Sequence, residues 1–398
     1  MNIVGIVAEY NPFHKGHAHQ IQKIREIYGA DTAVVCVMSG DFVQRGEPAI
    51  YNKYARAEVA VRCGADLVLE LPVHFSVASA ERFAHGAVEI MHKLGCINYL
   101  AFGSECGDTQ RLISAASVLL SPEFDVLICE KLKSGCSFPV ARAAALCELS
   151  DGVDVAQLPN DNLGIEYIKA LMRLKSDIKP VAIQRVGAMH DCAYNGELKS
   201  GSEIRKIIHS QESYGAFVPE AAAEIYHREN ESGRGPVSAL ALEASILARL
   251  RQLRLSHVAK LLDAAEGLEN KLYRAFRTEV SLNDIYDSVK SKRYTHARIR
   301  RMTMCAALGI SKDCYDIDNG YVRVLALNQR GAAVLRESEG MRTIDVLSKP
   351  SAARSLSAEQ LRLFELTADA HDLYVLGYEN RNEAIGEADW ITSPKFVK

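Results

Sequence analysis

Over residues 1–210, short apolar runs alternate with longer stretches of helical period, and this alternation limits the possible folds more than any other feature of the chain. The runs are "NIVGIVAEY" (2–10), "TAVVCVMSG" (32–40), "DLVLELP" (66–72), "INYLAFGSE" (97–105) and "KPVAIQRVG" (179–187). They are nearly continuously apolar, as strands covered on both faces must be. Between them, Ala18, Ile21, Ile24 and Tyr28 recur at helical spacing and stop at Gly29. A second helix is expected over 54–63, before Gly64, and a third in "ASAERFAHGAVEIMHKLG", ending at Gly95. This order predicts an α/β fold, a Rossmann-like parallel sheet with helices on both faces. Ligands of such sheets lie beyond the carboxyl ends of the strands, so the loop after the first run is where function is expected.

From about residue 211 the pattern changes. "PEAAAEIYHRE", "SALALEASILARLRQLRL" and "KLLDAAEGLENKLYRAFR" have helical period, interrupted by "ESGRGP" at 231–236. After Gly309 come two strand candidates, 321–327 and 372–378, with helix candidates in "QRGAAVLRES" and "SAEQLRLFELTADA". A chain of 398 residues exceeds what one core organises comfortably. The expected division is a catalytic domain over 1–210 and a C-terminal region over 211–398, helical to 309 and a small α/β unit from 310. A net charge of −3 says nothing in favour of a polyanionic partner for the chain as a whole and does not exclude a local basic patch. The ten cysteines form no C-x-x-C pair and sit mostly in apolar segments, so they read as buried thiols. Without an apolar run long enough for a membrane or a signal-peptide pattern, a soluble cytoplasmic protein is expected. Nothing in the sequence implies a protein partner.

The motif after the first run is "AEYNPFHKGH", residues 8–17. The chain has no G-x-x-x-x-G-K-[ST] loop, and no G-x-G-x-x-G follows a strand. Pro12 fixes a backbone angle in the loop, Gly16 permits close main-chain approach, and a helix start near Lys15 offers unpaired amides to an anion. His14 and His17 then fall one turn apart on one face, where two imidazoles can contact one phosphate group. An isolated H-x-x-H is ordinarily a pair of solvated residues. The strand-end position and a partner segment, "KSGSEIRK" (199–206), favour the phosphate role. His19 reads as a polar-face residue of the same helix.

His14-Lys15-Gly16-His17 resembles the H-x-G-H signature of the nucleotidyltransferase superfamily, and Ser200, Ser202 and Arg205 resemble its second signature. "GIVAEYNPFHKGH", "MSGDFVQRGEPA", "GADLVLELP", "FGSE", "LPNDNLGIEYIKAL" and "KRYTHARIRRM" together resemble the bacterial tRNA(Met) cytidine acetate ligases over most of residues 1–300. The resemblance implies an enzyme that activates acetate with ATP as acetyl-adenylate and acetylates N4 of the wobble cytidine of elongator tRNA(Met). It implies ATP contacts from Val7, Ala8, Glu9, Tyr10, Asn11, Pro12, Phe13, His14, Lys15, Gly16, His17 and Gln20, and from Gly103, Asn160, Arg185 and Ser202. His14, His17, Lys15 and Arg205 would be catalytic. Asp161 departs from the family's usual P-N-N and leaves Asn160 and Asn162 as alternatives, Asn160 being favoured because it follows the proline. A Mg2+ ion on the phosphates is expected, with no protein ligand named.

"KSKRYTHARIRRM" supplies Lys290, Lys292, Arg293, Tyr294, His296, Arg298, Arg300 and Arg301 without an acidic residue. A charge run is ordinarily a solvated face, but these like charges repel unless a polyanion is bound, and the interleaved rings suit unpaired RNA bases. The segment is therefore expected to bind tRNA. Two other readings compete: a small-molecule adenylyltransferase of coenzyme biosynthesis and a non-catalytic RNA-binding module. Asp41, Gln44 and Arg45 in "SGDFVQRGEPA" are candidates for selecting the acid, undistinguished by sequence.

Overall fold

The computed structural model describes residues 1–133, 135, 138–149, 158–185, 199–265 and 267–398. Val186 and Gly187 at the end of the fifth apolar run, and Cys136 and Cys192, lie outside the described residues. The five runs form strands β1 (Ile3–Ala8), β2 (Ala33–Ser39), β3 (Leu67–Leu71), β4 (Tyr99–Ser104) and β5 (Lys179–Gln184). Between them lie helices α1 (Lys15–Tyr28), α2 (Lys53–Arg62), α3 (Ala80–Leu94) and α4 (Pro159–Arg173). Neighbouring strands of this set pair in parallel, in the order β3-β2-β1-β4-β5.

Side-chain alternation assigns the two faces. Ala33, Val35 and Val37 of β2 pack with Phe83, Val88 and Met91 of α3. Val34, Cys36 and Met38 pack on the other face with Ile21 and Ile24 of α1 and Val59 of α2. A Cβ at Gly5 would stand 2.6 Å from Met91 Sδ, so glycine there lets α3 close on β1.

The C-terminal expectations need correction. Residues 321–327 do form a strand, β6 (Tyr321–Leu327), but it pairs antiparallel with β3 and extends the main sheet. Strands Asp345–Leu347 and Lys395–Phe396 pair with β6 as well. The tail, with its strands and helices, is thus joined to the main sheet through β6. The second strand candidate, 372–378, belongs mainly to a helix, Ala358–Val375. Leu373, Tyr374 and Val375 are apolar because that helix end is buried in the helical core, not because they lie in a strand. Helices between 239 and 308 build this second core, as their period predicts, α7 (His296–Leu308) among them, whereas α5 (Gly201–His209) and α6 (Glu220–Glu231) pack against the sheet face that carries α1 and α2.

The two halves are tied together by buried charge. Lys53 Nζ contacts Glu70 at 2.7 Å and Asp389 at 2.6 Å, and Arg323 reaches Asp389 at 2.8 Å. Asp41 accepts from Lys53 N and pairs with His371 Nδ1 at 2.7 Å. The eight described cysteines are free.

Candidate nucleotide-binding site

The loop from β1 to α1 folds so that its two histidines cap the helix they open. Gly16 N donates to His14 Nδ1 at 3.1 Å, and His14 N donates to His17 Nδ1 at 3.2 Å. The imidazoles stack with centroids 3.8 Å apart. A Cβ at Gly16 would lie 2.9 Å from His14 Cε1, so the space glycine frees is taken by the imidazole and not by ligand. Because each ring accepts at Nδ1, its neutral form carries the proton on Nε2, and both rings line the cleft as donors. Burial, aided by Arg185, pushes His14 down to about 4. Burial also lowers His17 well below the ordinary range, with His14 and Arg185 adding to it. The pair is thus uncharged at neutral pH.

The rest of the loop is braced from several elements. Tyr10 adopts a positive φ of 45°, uncommon for a bulky residue, and is held by its hydroxyl at 3.2 Å from Cys36 Sγ and its ring against Phe13 and His17. Asn11 Oδ1 accepts from Ile50 N, and the Asn11 carbonyl accepts from Arg205 Nη1 at 2.6 Å. Phe13 N donates to the Tyr226 hydroxyl of α6 at 2.8 Å. Arg56, fully buried, donates to the carbonyls of Glu9, Ser39, Gly40 and Tyr51 and so fixes the ends of β1 and β2. Neither Arg56 nor Tyr226 is singled out by any sequence pattern, because their partners are main-chain groups, most of them in other elements.

Two adjoining hollows open at the carboxyl ends of β1 and β4. A larger one of about 470 Å³ is lined by Val7, Ala8, Glu9, Tyr10, Asn11, Pro12, Asn160, Ser202 and Arg205 among others. The smaller, about 390 Å³, includes Lys15, Gly16, Ile183 and Pro219, and also His19. His14, His17, Gln20, Gly103 and Arg185 line both. Of the expected nucleotide residues, Phe13 alone lines neither; it is fully buried, packed beneath the loop.

The expected second signature is also here. Ser200 caps α5 and forms a capping box with Glu203. Ser202 instead accepts from Arg205 Nη2 at 3.1 Å. The "PNDN" segment resolves into separate roles. Asp161, fully buried, accepts from the Ser104 hydroxyl, from Glu105 N at 2.9 Å and from Cys106 N at 3.1 Å, and so holds the loop after β4. Asn160 Oδ1 accepts from Arg185 Nη1 at 3.3 Å, whereas Asn162 Oδ1 accepts from Arg142. Both asparagines line the larger hollow. A Cβ at Gly103 would stand 3.3 Å from Arg185 Cγ, so glycine admits that side chain beside the strand.

The basic segment behaves less uniformly than expected. Lys290, Lys292 and Arg293 are exposed in the loop before α7. Tyr294 is not available to stack on a base: it is 4% exposed, packed in the helical core. His296 lies 3.8 Å from Asp287, Arg298 donates to the Asp263 carbonyl, and Arg300 pairs with Glu47 at 2.9 Å. Arg301 is largely buried, and burial lowers its pKa. Glu47 lines the larger hollow, so Arg300 joins the basic helix to the cleft rim. Of the three candidates for acid selection, Gln44 and Arg45 line the cleft, and Asp41 is buried in its pair with His371.

A parallel α/β sheet carrying H-x-G-H at the end of its first strand defines a nucleotidyl transferase, and the HIGH Nucleotidyl Transferase family model matches residues 1–389. The chain is 37% identical over 391 residues to the tRNA(Met) cytidine acetate ligase of Caldanaerobacter subterraneus, covering 96% of each. It is 36% identical over 399 residues to that of Acetivibrio thermocellus, again covering 96% of each. The crystal structure of Thermotoga maritima TmcAL bound with alpha-thio ATP superposes with a TM-score of 0.92 at 32% identity, covering 100% of both chains. The chain belongs to the tRNA(Met) cytidine acetate ligase family.

Proposed function

We propose that this protein is an ATP-dependent ligase that joins acetate to N4 of the wobble cytidine of elongator tRNA(Met). The observation that carries the chemistry is the His14–His17 pair, two neutral donors fixed by main-chain bonds at the floor of a cleft that Arg205 also lines. An acetate oxygen attacks the α-phosphorus of ATP and pyrophosphate leaves, giving acetyl-adenylate. Charge grows on the phosphate oxygens in that step, and preorganised donors there typically contribute about 100- to 1,000-fold each. Lys15 and Arg205 neutralise the departing pyrophosphate. The cytidine amine then attacks the acetyl carbon, AMP leaves and the amine loses a proton.

In this reading the nucleoside occupies the smaller hollow beside Gly103 and Arg185, with Asn160 aligning Arg185. The phosphates lie over the shared histidines, and acid and cytidine enter the larger hollow. Among the described residues, no group of three His, Cys, Asp or Glu could hold a metal ion. The two carboxylates that line the larger hollow are otherwise engaged, Glu9 accepting from Gln44 N and Glu47 paired with Arg300. A Mg2+ ion would therefore rest on the phosphates and water, supplying charge neutralisation with few protein ligands. Among the described residues, no single helix is long and apolar enough to cross a membrane.

The exposed Lys290, Lys292 and Arg293 support a tRNA-facing loop, and the Arg300–Glu47 pair sets that face next to the cleft. Incubation with ATP, labelled acetate and unmodified elongator tRNA(Met) tests the reading. Label in the tRNA as N4-acetylcytidine is expected. Transfer of AMP to a small molecule, or tRNA binding without turnover, would replace it with a coenzyme-type adenylyltransferase or an RNA-binding module.

A further inference from the structure

The larger hollow is lined by both polar and apolar side chains. His14, His17, Ser202 and Arg205 are among the polar ones; Phe83, Phe102, Leu163 and Tyr167 are among the apolar ones. Leu163 and Tyr167 are one turn apart on α4, Phe83 comes from α3, and Phe102 lies on β4. Phe83, Phe102 and Tyr167 are 2–4% exposed and belong to one continuous core, against which Leu163 and Val7 pack. The Phe102 and Tyr167 rings lie 5.8 Å apart. A Cβ at Gly164 would stand 2.5 Å from Phe102 Cε2, so the helix seats directly on that ring and the ring cannot retreat. A wall of this kind holds its shape, because core side chains are close-packed and do not yield to an added methylene.

The wall also carries one polar tip. The Tyr167 hydroxyl makes no hydrogen bond among the described residues, and it is close enough to Glu9 for that carboxylate to act on it electrostatically. Glu9 is itself tied down, accepting from Gln44 N at 2.8 Å. An apolar surface ending in a hydroxyl, in the same hollow as a set of phosphate donors, fits a short carboxylic acid: alkyl end on the rings, carboxylate toward the donors.

Resting on the ligase reading above, we infer that Phe83, Phe102, Leu163 and Tyr167 form the acyl subsite and set the length of acid the enzyme accepts. The rigid rings leave room for a methyl group and exclude longer chains. Leu163, only partly buried, is the position where the wall can be moved without opening the core.

The test is acid-dependent ATP–pyrophosphate exchange without tRNA, run with acetate, propionate and butyrate on wild type, Leu163→Ala and Leu163→Phe. Omitting tRNA removes cytidine as a rival occupant of the wall. Leu163→Ala should raise the propionate-to-acetate ratio of kcat/KM at least tenfold. Leu163→Phe should raise the KM for acetate while leaving that for ATP in place. Tyr167→Phe, which keeps the ring, should raise the KM for every acid alike. Unchanged acid preference in Leu163→Ala together with an unchanged acetate KM in Leu163→Phe would overturn the subsite and leave the ligase reading intact. Wild-type protein that exchanges with no acid would overturn the ligase reading itself.

Discussion

At the scale of single residues, the site depends on keeping two imidazoles neutral. An uncharged ring donates through Nε2–H at any pH above its own titration, so the adenylation rate should be insensitive to these rings between about pH 6 and 8. The same burial has a cost for stability. Because His14 is held down to about 4, the unfolded chain takes up a proton before the folded one as pH falls below the ordinary 6.5. The penalty is absent above 6.5 and grows as pH falls toward 4. Urea denaturation at pH 7 and pH 5 should therefore show wild type losing on the order of 2 kcal/mol more than His14→Asn. Equal losses would mean the ring is not held neutral. In exchange assays His14→Asn should be slower by roughly 100-fold or more.

How much of the site could be read in advance follows from the range of its contacts. His14 and His17 are legible because their role is set by spacing within one turn and by the strand end before them. Ser200, the residue that actually caps α5, is legible as a cap from Glu203 three positions on. Asp161 is not, since its partners are Ser104, Glu105 and Cys106, more than fifty residues earlier in the chain. The same holds for Tyr226, whose partner Phe13 lies 213 residues earlier.

At the scale of elements, apolar period read the first five strands and failed at 372–378. A buried helix end and a short buried strand give the same unbroken apolar run, and only the surroundings separate them. The basic segment divides at an element boundary too. Inside α7, Arg298 and Arg300 have protein partners, and the buried Tyr294 just before it has none of its face to offer RNA. The loop before α7 is where charge is free to meet phosphate. Replacing Lys290, Lys292 and Arg293 together by Ala should weaken tRNA binding and lower the slope of log K against log salt by about 2 to 3. ATP–pyrophosphate exchange should be retained. An unchanged slope would move the RNA contact elsewhere.

At the scale of the whole molecule, the C-terminal part is joined to the N-terminal sheet by strand pairing and by buried charge. β6 from the C-terminal part completes the sheet beside β3, and Asp389 neutralises Lys53 and Arg323 in the buried cluster that joins them. α6 and α7 reach the loops that line the cleft, through Tyr226 to Phe13 and through Arg300 to Glu47. The helical region thus builds the cleft as well as flanking it. Such an arrangement suits an enzyme in which an activated acid must meet an RNA base before water does.

The central claim is that the acid is activated by attack on the α-phosphorus of ATP, and oxygen tracing tests it most directly. With acetate carrying heavy oxygen at both positions and elongator tRNA(Met) present, one labelled oxygen should appear in AMP and the other in the acetyl group on cytidine. Labelled oxygen in inorganic phosphate or pyrophosphate, with none in AMP, would contradict the account.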